Sequence, residues 1–199
     1  VEEGISHTSS GTPYYGGIIG RHAGTKGSVT LENCTNNGVV EILADFKLSG
    51  GAHCYIGGIL GGGGEMYFKN CDNNGAITQH GNVNTNKPTW KPKSGTTKGA
   101  FTHTTALYLG GIIGRADSST IQECDNNGPI SIDTDCIYGY IGGIVGAASC
   151  TTFKNNTNGA NGDITVAGSF NLNVGICGMG ASVGCATTDC SNAGDITVS

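Results

Sequence analysis

The chain has 199 residues, of which 36 are glycine and only 4 proline, with 13% charged residues and a formal net charge of −5. Glycine stands at well over twice its usual share of about 7%, yet collagen is excluded because no strict Gly-X-Y period runs through the chain. The mild charge, 37% hydrophobic content and acidic pI near 5.4 exclude a disordered polyelectrolyte and an electrostatically held nucleic-acid partner.

Residues 1–13 carry no repeat unit and read as the tail of an earlier coil. A five-residue unit then recurs at Gly16-Gly17-Ile18-Ile19-Gly20, Gly57-Gly58-Ile59-Leu60-Gly61, Gly110-Gly111-Ile112-Ile113-Gly114 and Gly142-Gly143-Ile144-Val145-Gly146. A weaker fifth copy is Val174-Gly175-Ile176-Cys177-Gly178. A second unit follows each: Asn33-Cys34-Thr35-Asn36-Asn37-Gly38, Asn70-Cys71-Asp72-Asn73-Asn74-Gly75 and Glu123-Cys124-Asp125-Asn126-Asn127-Gly128. The fourth copy, Asn155-Asn156-Thr157-Asn158, reaches its glycine late at Gly162, and the fifth is Asp189-Cys190-Ser191-Asn192-Ala193-Gly194. A third unit carries one apolar column at Val40, Ile77, Ile130, Ile164 and Ile196.

The first units begin at 16, 57, 110, 142 and 174, so the period is 32 residues, with insertions in the first two repeats. Helical i, i+3, i+4 spacing is lacking, and turn chemistry separates short apolar segments. The pattern predicts an all-β fold, a single-stranded parallel β-solenoid (β-helix) of about five coils with three short strands each. Coils of this kind stack at the ~4.8 Å strand spacing, so equivalent side chains fall into columns. Ile18, Ile59, Ile112, Ile144 and Ile176 are expected to form one inward ladder, and Leu31, Phe68, Ile121 and Phe153 another, broken by Thr187. Asn36, Asn73, Asn126, Asn158 and Asn192 are expected at one corner, since asparagine tolerates a left-handed backbone and its amide bonds the amides above and below. The glycines at 38, 75, 128, 162 and 194 suit a positive-φ corner position, and the paired glycines suit a close backbone approach.

With Gly-Gly-Ile-Ile/Leu/Val-Gly followed by Asn-Cys-x-Asn-Asn-Gly, the sequence resembles the GLUG-type repeats of bacterial surface and secreted proteins. These include stalk regions of adhesin-like proteins and of some secreted IgA-cleaving proteases. The resemblance covers nearly the whole chain outside the insertions and implies scaffold rather than activity. Repeat four departs from the pattern with Asn156 in place of the cysteine, and repeat five with Val174 in place of the leading glycine. With no capping repeat recognisable, residues 1–199 read as one solenoid segment and an internal slice of a longer chain.

The nine cysteines show no paired spacing of the zinc type, and no metal site or cofactor is expected. Cys34, Cys71, Cys124 and Cys190 share a repeat column. Neighbouring coils would bring such cysteines to a bridgeable distance, whereas Cys124 and Cys190 lie two coils apart. A reduced, inward-facing thiol ladder is the expected state. The histidines fall in flanking or inserted segments and show no ligand spacing.

Asp163 and Asp195 share a corner position one coil apart, and Arg21 and Arg115 share another with Gly62 between them. Neither set forms a convincing catalytic constellation, and no catalytic residues are expected. Thr78, Ser131, Thr165 and Thr197 form one column, but Glu41 interrupts it, which argues against a flat ice-binding array. The inserted loop in coil two, residues 78–105, gathers Lys87, Trp90, Lys91 and Lys93 in a stretch free of acids. Loops on rigid scaffolds carry binding function, and an aromatic flanked by cations suits carbohydrate or an acidic partner.

The expected function is a non-catalytic extracellular or cell-surface structural and adhesion module, a stalk that contacts ligand through the 78–105 loop. Expected partners are a carbohydrate or a host cell-surface protein, together with flanking repeats of the same chain. Nucleic acid and membrane insertion of this segment are not expected. The alternative is a carbohydrate-binding or carbohydrate-cleaving parallel β-helix.

Overall fold

The computed structural model describes residues 6–9, 11–23, 29–43, 45–48, 52–81, 90–92, 99–101, 106–168, 170–177 and 181–199. The chain is a parallel β-solenoid of about five coils. Five sheets of five strands each run along it, and every pairing within them is parallel. The second coil shows the plan, with strands Cys54–Gly57, Leu60–Gly64, Met66–Lys69, Asp72–Asn73 and Ile77–Gln79. Each coil therefore has five strand segments where the sequence predicts three. The first unit divides at its Gly-Gly bend, and the second unit holds a two-residue strand of its own, Asp72–Asn73 in this coil.

The Gly-Gly bend explains its own composition. A Cβ on Gly57 would stand 2.1 Å from the Leu60 carbonyl oxygen, and one on Gly58 would stand 2.2 Å from that of Gly111. Real atoms do not approach so closely, so only glycine lets the backbone fold back there. The corner glycines behave differently from expectation. Gly38, Gly75, Gly128, Gly162 and Gly194 are not left-handed; at Gly75 the constraint is room, because a Cβ would lie 1.8 Å from the Gly38 oxygen. The left-handed residues are Asn33, Asn70, Glu123, Asn155 and Asp189, all with φ of 51–54°. They turn the chain just before the cysteine column. A second left-handed corner uses Glu65, Ser118, Cys150 and Gly184.

The asparagine column forms a continuous ladder. Asn36 donates to Asn73 Oδ1 at 2.8 Å, Asn73 to Asn126 at 2.8 Å, Asn126 to Asn158 at 2.8 Å and Asn158 to Asn192 at 2.7 Å. Each Nδ2 also donates to the carbonyl of its own corner glycine, at 2.7–2.9 Å. These amides are stacked in short strands and none has a positive φ. Asn73, Asn126 and Asn158 are fully buried, and such satisfaction is what makes a buried amide tolerable.

The interior divides into two apolar clusters. One gathers Ile56, Leu109 and Ile141 with Ile77, Ile130 and Ile164; the other gathers Ile59, Ile112 and Ile144 with Phe68, Ile121 and Phe153. Ile59, Ile112 and Ile144 line up as expected, through backbone bonds from Ile59 to Ile112 at 3.0 Å and from Ile112 to Ile144 at 2.9 Å. Ile18 joins the same ladder but is 46% exposed. Ile176 does not join it, because it pairs with Ile141 and Cys177 pairs with Gly142. Coil four reaches its corner glycine two residues late, so Ile130 already pairs with Ile164, and the bulge between Cys136 and Tyr138 adds a third residue; the fifth Gly-Ile unit is therefore out of step with the other four. Register returns further on, with Ile164 opposite Ile196.

The insertion leaves the wall after strand Ile77–Gln79 and returns at strand Ala106–Gly110. Within it, strands Trp90–Pro92 and Gly99–Phe101 pair antiparallel, with Trp90 opposite Phe101 and Lys91 opposite Ala100. Lys87 and Lys93 lie outside the described residues. Among the described residues no helix is long and apolar enough to cross a membrane.

Candidate functional site

The repeat carries a column that the motif reading passes over. Two residues before the Gly-Gly pair stand Tyr14, Tyr55, Tyr108 and Tyr140, registered one on the next. Alternation along each strand explains their placement, since the following residues Ile56, Leu109 and Ile141 turn into the core. The rings stack with centroids 4.9, 5.0 and 5.1 Å apart. The ladder ends in the fifth coil, where Gly175 lies opposite Tyr140. Because the ring faces cover one another, the ladder offers a ligand its hydroxyls and ring edges.

Beyond the Gly-Gly bend, the next sheet carries Arg21, Gly62 and Arg115 at one register position. The missing side chain at Gly62 opens the wall between two arginines. A Cβ there would already sit 3.3 Å from Tyr14 Cε1, so the bare position faces the tyrosine ladder. The result is a groove of about 500 Å³, floored by Gly62, Gly63 and Gly64 and walled by Tyr14 and Tyr55. Arg21 and Arg115, from the coils on either side of Gly62, also line it, as do Glu65 and Asp117. This volume lies within the usual range for small-ligand clefts.

Both arginines lie over a tyrosine ring, Arg21 4.8 Å from the Tyr14 centroid and Arg115 5.6 Å from that of Tyr108, and Arg115 is also tied to a carboxylate. Arg115 Nε bonds Asp117 Oδ2 at 3.0 Å and Nη2 bonds Oδ1 at 3.3 Å, a two-point clamp within one strand. Burial works against the Arg115 charge, but Asp117 outweighs it and keeps the guanidinium protonated. Burial also pushes the Tyr55 phenol up to about 12 and raises that of Tyr108, while nearby Arg115 pulls both back. Both hydroxyls therefore stay protonated at neutral pH. His53 stands edge-on to Tyr108 at 5.3 Å and accepts the Ala106 amide at Nδ1. Burial, then Arg115, lowers its proton affinity and keeps it neutral. At the groove edge, the buried Nε2 of His22 has no hydrogen-bond partner.

The groove thus presents phenol and guanidinium donors beside carboxylate acceptors on a fixed frame. Neighbouring hydroxyls of a saccharide match that arrangement of adjacent donors and acceptors. Among the described residues no group of three or more His, Cys, Asp or Glu is gathered as a metal site would require.

The sequence-derived sites fall elsewhere. Trp90 and Lys91 sit in the hairpin of the insertion, with nothing described that joins them to the groove. Asp163 and Asp195 do lie one coil apart, but Asp163 Oδ1 accepts the Asp195 amide at 2.8 Å, a corner bond outside the groove. Arg21 and Arg115 are brought together, and the glycine between them creates the site instead of breaking it. The thiol column exists, interrupted by Asn156, whose Oδ1 accepts the Cys124 amide at 2.9 Å and whose Nδ2 donates to the Ile121 carbonyl at 2.8 Å. Thr78, Ser131, Thr165 and Thr197 pair in sequence, with Glu41 opposite Thr78.

No family model matches this chain, and comparisons with curated proteins and with solved structures find no similar protein. The likeness to GLUG-type repeats rests on the motif residues themselves.

Proposed function

We propose that the chain is a non-catalytic extracellular structural and adhesion module, a solenoid stalk that contacts carbohydrate through the tyrosine–arginine groove. The observation that carries this reading is the opening over Gly62, set between Arg21 and Arg115 and beside the stacked tyrosines. Rigid walls support the stalk role, because consecutive coils are tied by parallel ladders, the asparagine amides and two apolar clusters. A shallow cleft on such a wall suits a chain of sugars passing across it. The resemblance to surface repeats points to the same location and role.

The test is a glycan array probed with the intact chain and with Gly62→Val, which fills the opening. Saccharide binding by the intact chain that the variant loses supports the reading. Equal binding by both removes the groove from it, and no binding by either removes the carbohydrate.

A second reading is a carbohydrate-cleaving β-helix. Glu65 and Asp117 come from adjacent coils and line one groove, with the Glu65 amide bonded to the Asp117 carbonyl at 2.9 Å. Two carboxyl groups across a sugar are what glycoside hydrolysis uses. New reducing ends released from a bound polysaccharide, and lost in Glu65→Gln, would replace the first reading with this one.

A further inference from the structure

Inside the wall, Cys34, Cys71 and Cys124 stand in three consecutive coils. The residues around them are in register: Lys69 pairs with both Glu32 and Gln122, and Asp72 pairs with Thr35. Equivalent Cα atoms of adjacent parallel strands lie about 4.8 Å apart, within the roughly 4.4–6.8 Å that a disulfide spans. All three are thiols, and each sulfur meets the carbonyl two residues before it, Cys71 also meeting the Leu31 carbonyl of the preceding coil at 3.3 Å. The Sγ–O distances are 3.5 Å for Cys34 to Glu32, 3.4 Å for Cys71 to Lys69 and 3.2 Å for Cys124 to Gln122.

Access along the column is graded. Cys34 is half-buried, whereas Cys71 and Cys124 are fully enclosed. At the other end Asn156 bonds both the Cys124 amide and the Cys190 sulfur, so the column stops at Cys124. In this chain Cys34 keeps a partial exposure that Cys71 and Cys124 lack.

The three differ in chemistry as well. Cys71 lies between the other two, and hydrogen bonding from Cys124 draws its thiol down to about 6, against burial that opposes the charge. Burial and the neighbouring Cys71 push Cys34 up, and the bond to Cys71, then burial, push Cys124 up. The accessible thiol is thus the sluggish one, and the enclosed thiol beside it is the ready nucleophile.

We propose that Cys34 and Cys71 form an oxidative modification site, in which Cys34 takes up a small-molecule disulfide and Cys71 resolves the adduct. In the first step Cys34 gives its proton to solvent and attacks one sulfur of the oxidant. A Cys34–SR bond forms, the oxidant's S–S bond breaks, and one thiolate leaves. In the second step the Cys71 thiolate attacks Cys34 Sγ, a Cys34–Cys71 bond forms, and the second thiolate leaves. Two protein thiols are oxidised and one small disulfide is reduced to two thiols, while Cys124 keeps its proton. The first two coils become covalently linked. Because Cys71 stands beside Cys34 in the next coil, the second step is intramolecular and the adduct does not accumulate.

The test treats the reduced full chain with oxidised glutathione, alkylates the remaining thiols and maps the peptides by mass. The expected product is a Cys34–Cys71 bridge with no lasting glutathione on Cys34. Cys71→Ser should hold glutathione on Cys34, and Cys124→Ser should still form the bridge. Cys34→Ser, a change at the half-exposed position with little packing to lose, should leave Cys71 and Cys124 as thiols in a chain that keeps its β-type circular dichroism. A Cys71–Cys124 bridge in the unaltered chain, a stable glutathione adduct on its Cys34, or an unreacted Cys34 would each overturn the proposal.

Discussion

Gly58 leaves the space that Asn73 fills: a Cβ built on the glycine would stand 2.3 Å from the asparagine Cγ. The same relation joins Gly111 to Asn126, also at 2.3 Å, and Gly17 to Asn36 at 2.7 Å. The two repeat motifs are therefore halves of one device, since the bare second glycine of the first admits the amide ladder of the second. Gly58→Ala should destabilise the chain by about 3 kcal/mol, the upper part of the overpacking range, because backbone as well as the amide must move. The shift of the urea midpoint measures it.

Asn126→Ala should cost about 3 kcal/mol. It removes the bonds to Gly128 and Asn158 and leaves one of the two Asn73 amide hydrogens without its acceptor, all in the buried interior. Asn192 is exposed at the end of the ladder, so Asn192→Ala should cost under about 1 kcal/mol. Comparing the two urea midpoints tests whether burial sets the strength of the ladder.

In the groove, Arg115→Ala should weaken saccharide binding by about tenfold or more, as expected when a charged hydrogen-bonding group worth 1.5–3 kcal/mol is lost. Trp90→Ala should leave binding unchanged if contact is confined to the groove. Titration calorimetry with the best glycan from the array reads both. A loss confined to Trp90→Ala would move the contact to the insertion.

Alkali should loosen the solenoid. The Tyr15 and Tyr55 phenols are pushed up to about 12 by burial, against 10.0 for an exposed tyrosine. The unfolded chain releases these protons first, so stability is intact below pH 10 and falls as the pH rises toward 12. Tyr55→Phe should flatten part of that fall. Unfolding followed at pH 9, 10 and 11 decides it, and a stability that rises across this window would contradict the burial.

Much of the fold was legible because stacking converts sequence period directly into side-chain columns. The Ile59, Ile112 and Ile144 ladder and the five asparagines follow from spacing alone. Ile176 did not: the late Gly162 already announces two residues of its displacement, and the third comes from a bulge near Cys136 that leaves no mark in the sequence. The corner glycines suggest backbone freedom, whereas what they supply is room, a distinction that depends on the next coil and not on local sequence. The groove is half visible in the sequence: Arg21, Gly62 and Arg115 share a repeat position, but the tyrosines lie just outside the conspicuous motif. An absent side chain carries no signal until the neighbouring sheet is in place.

At the point where the long insertion departs, Gly81 is fastened twice: its carbonyl accepts the buried Gln79 amide and, at 2.7 Å, the Thr134 hydroxyl from the following coil. The departing strand is thereby secured before it leaves the wall. Foreign segments grafted between there and Ala106 should be displayed without disturbing the rod beneath, which makes this shoulder a natural socket for engineered epitopes.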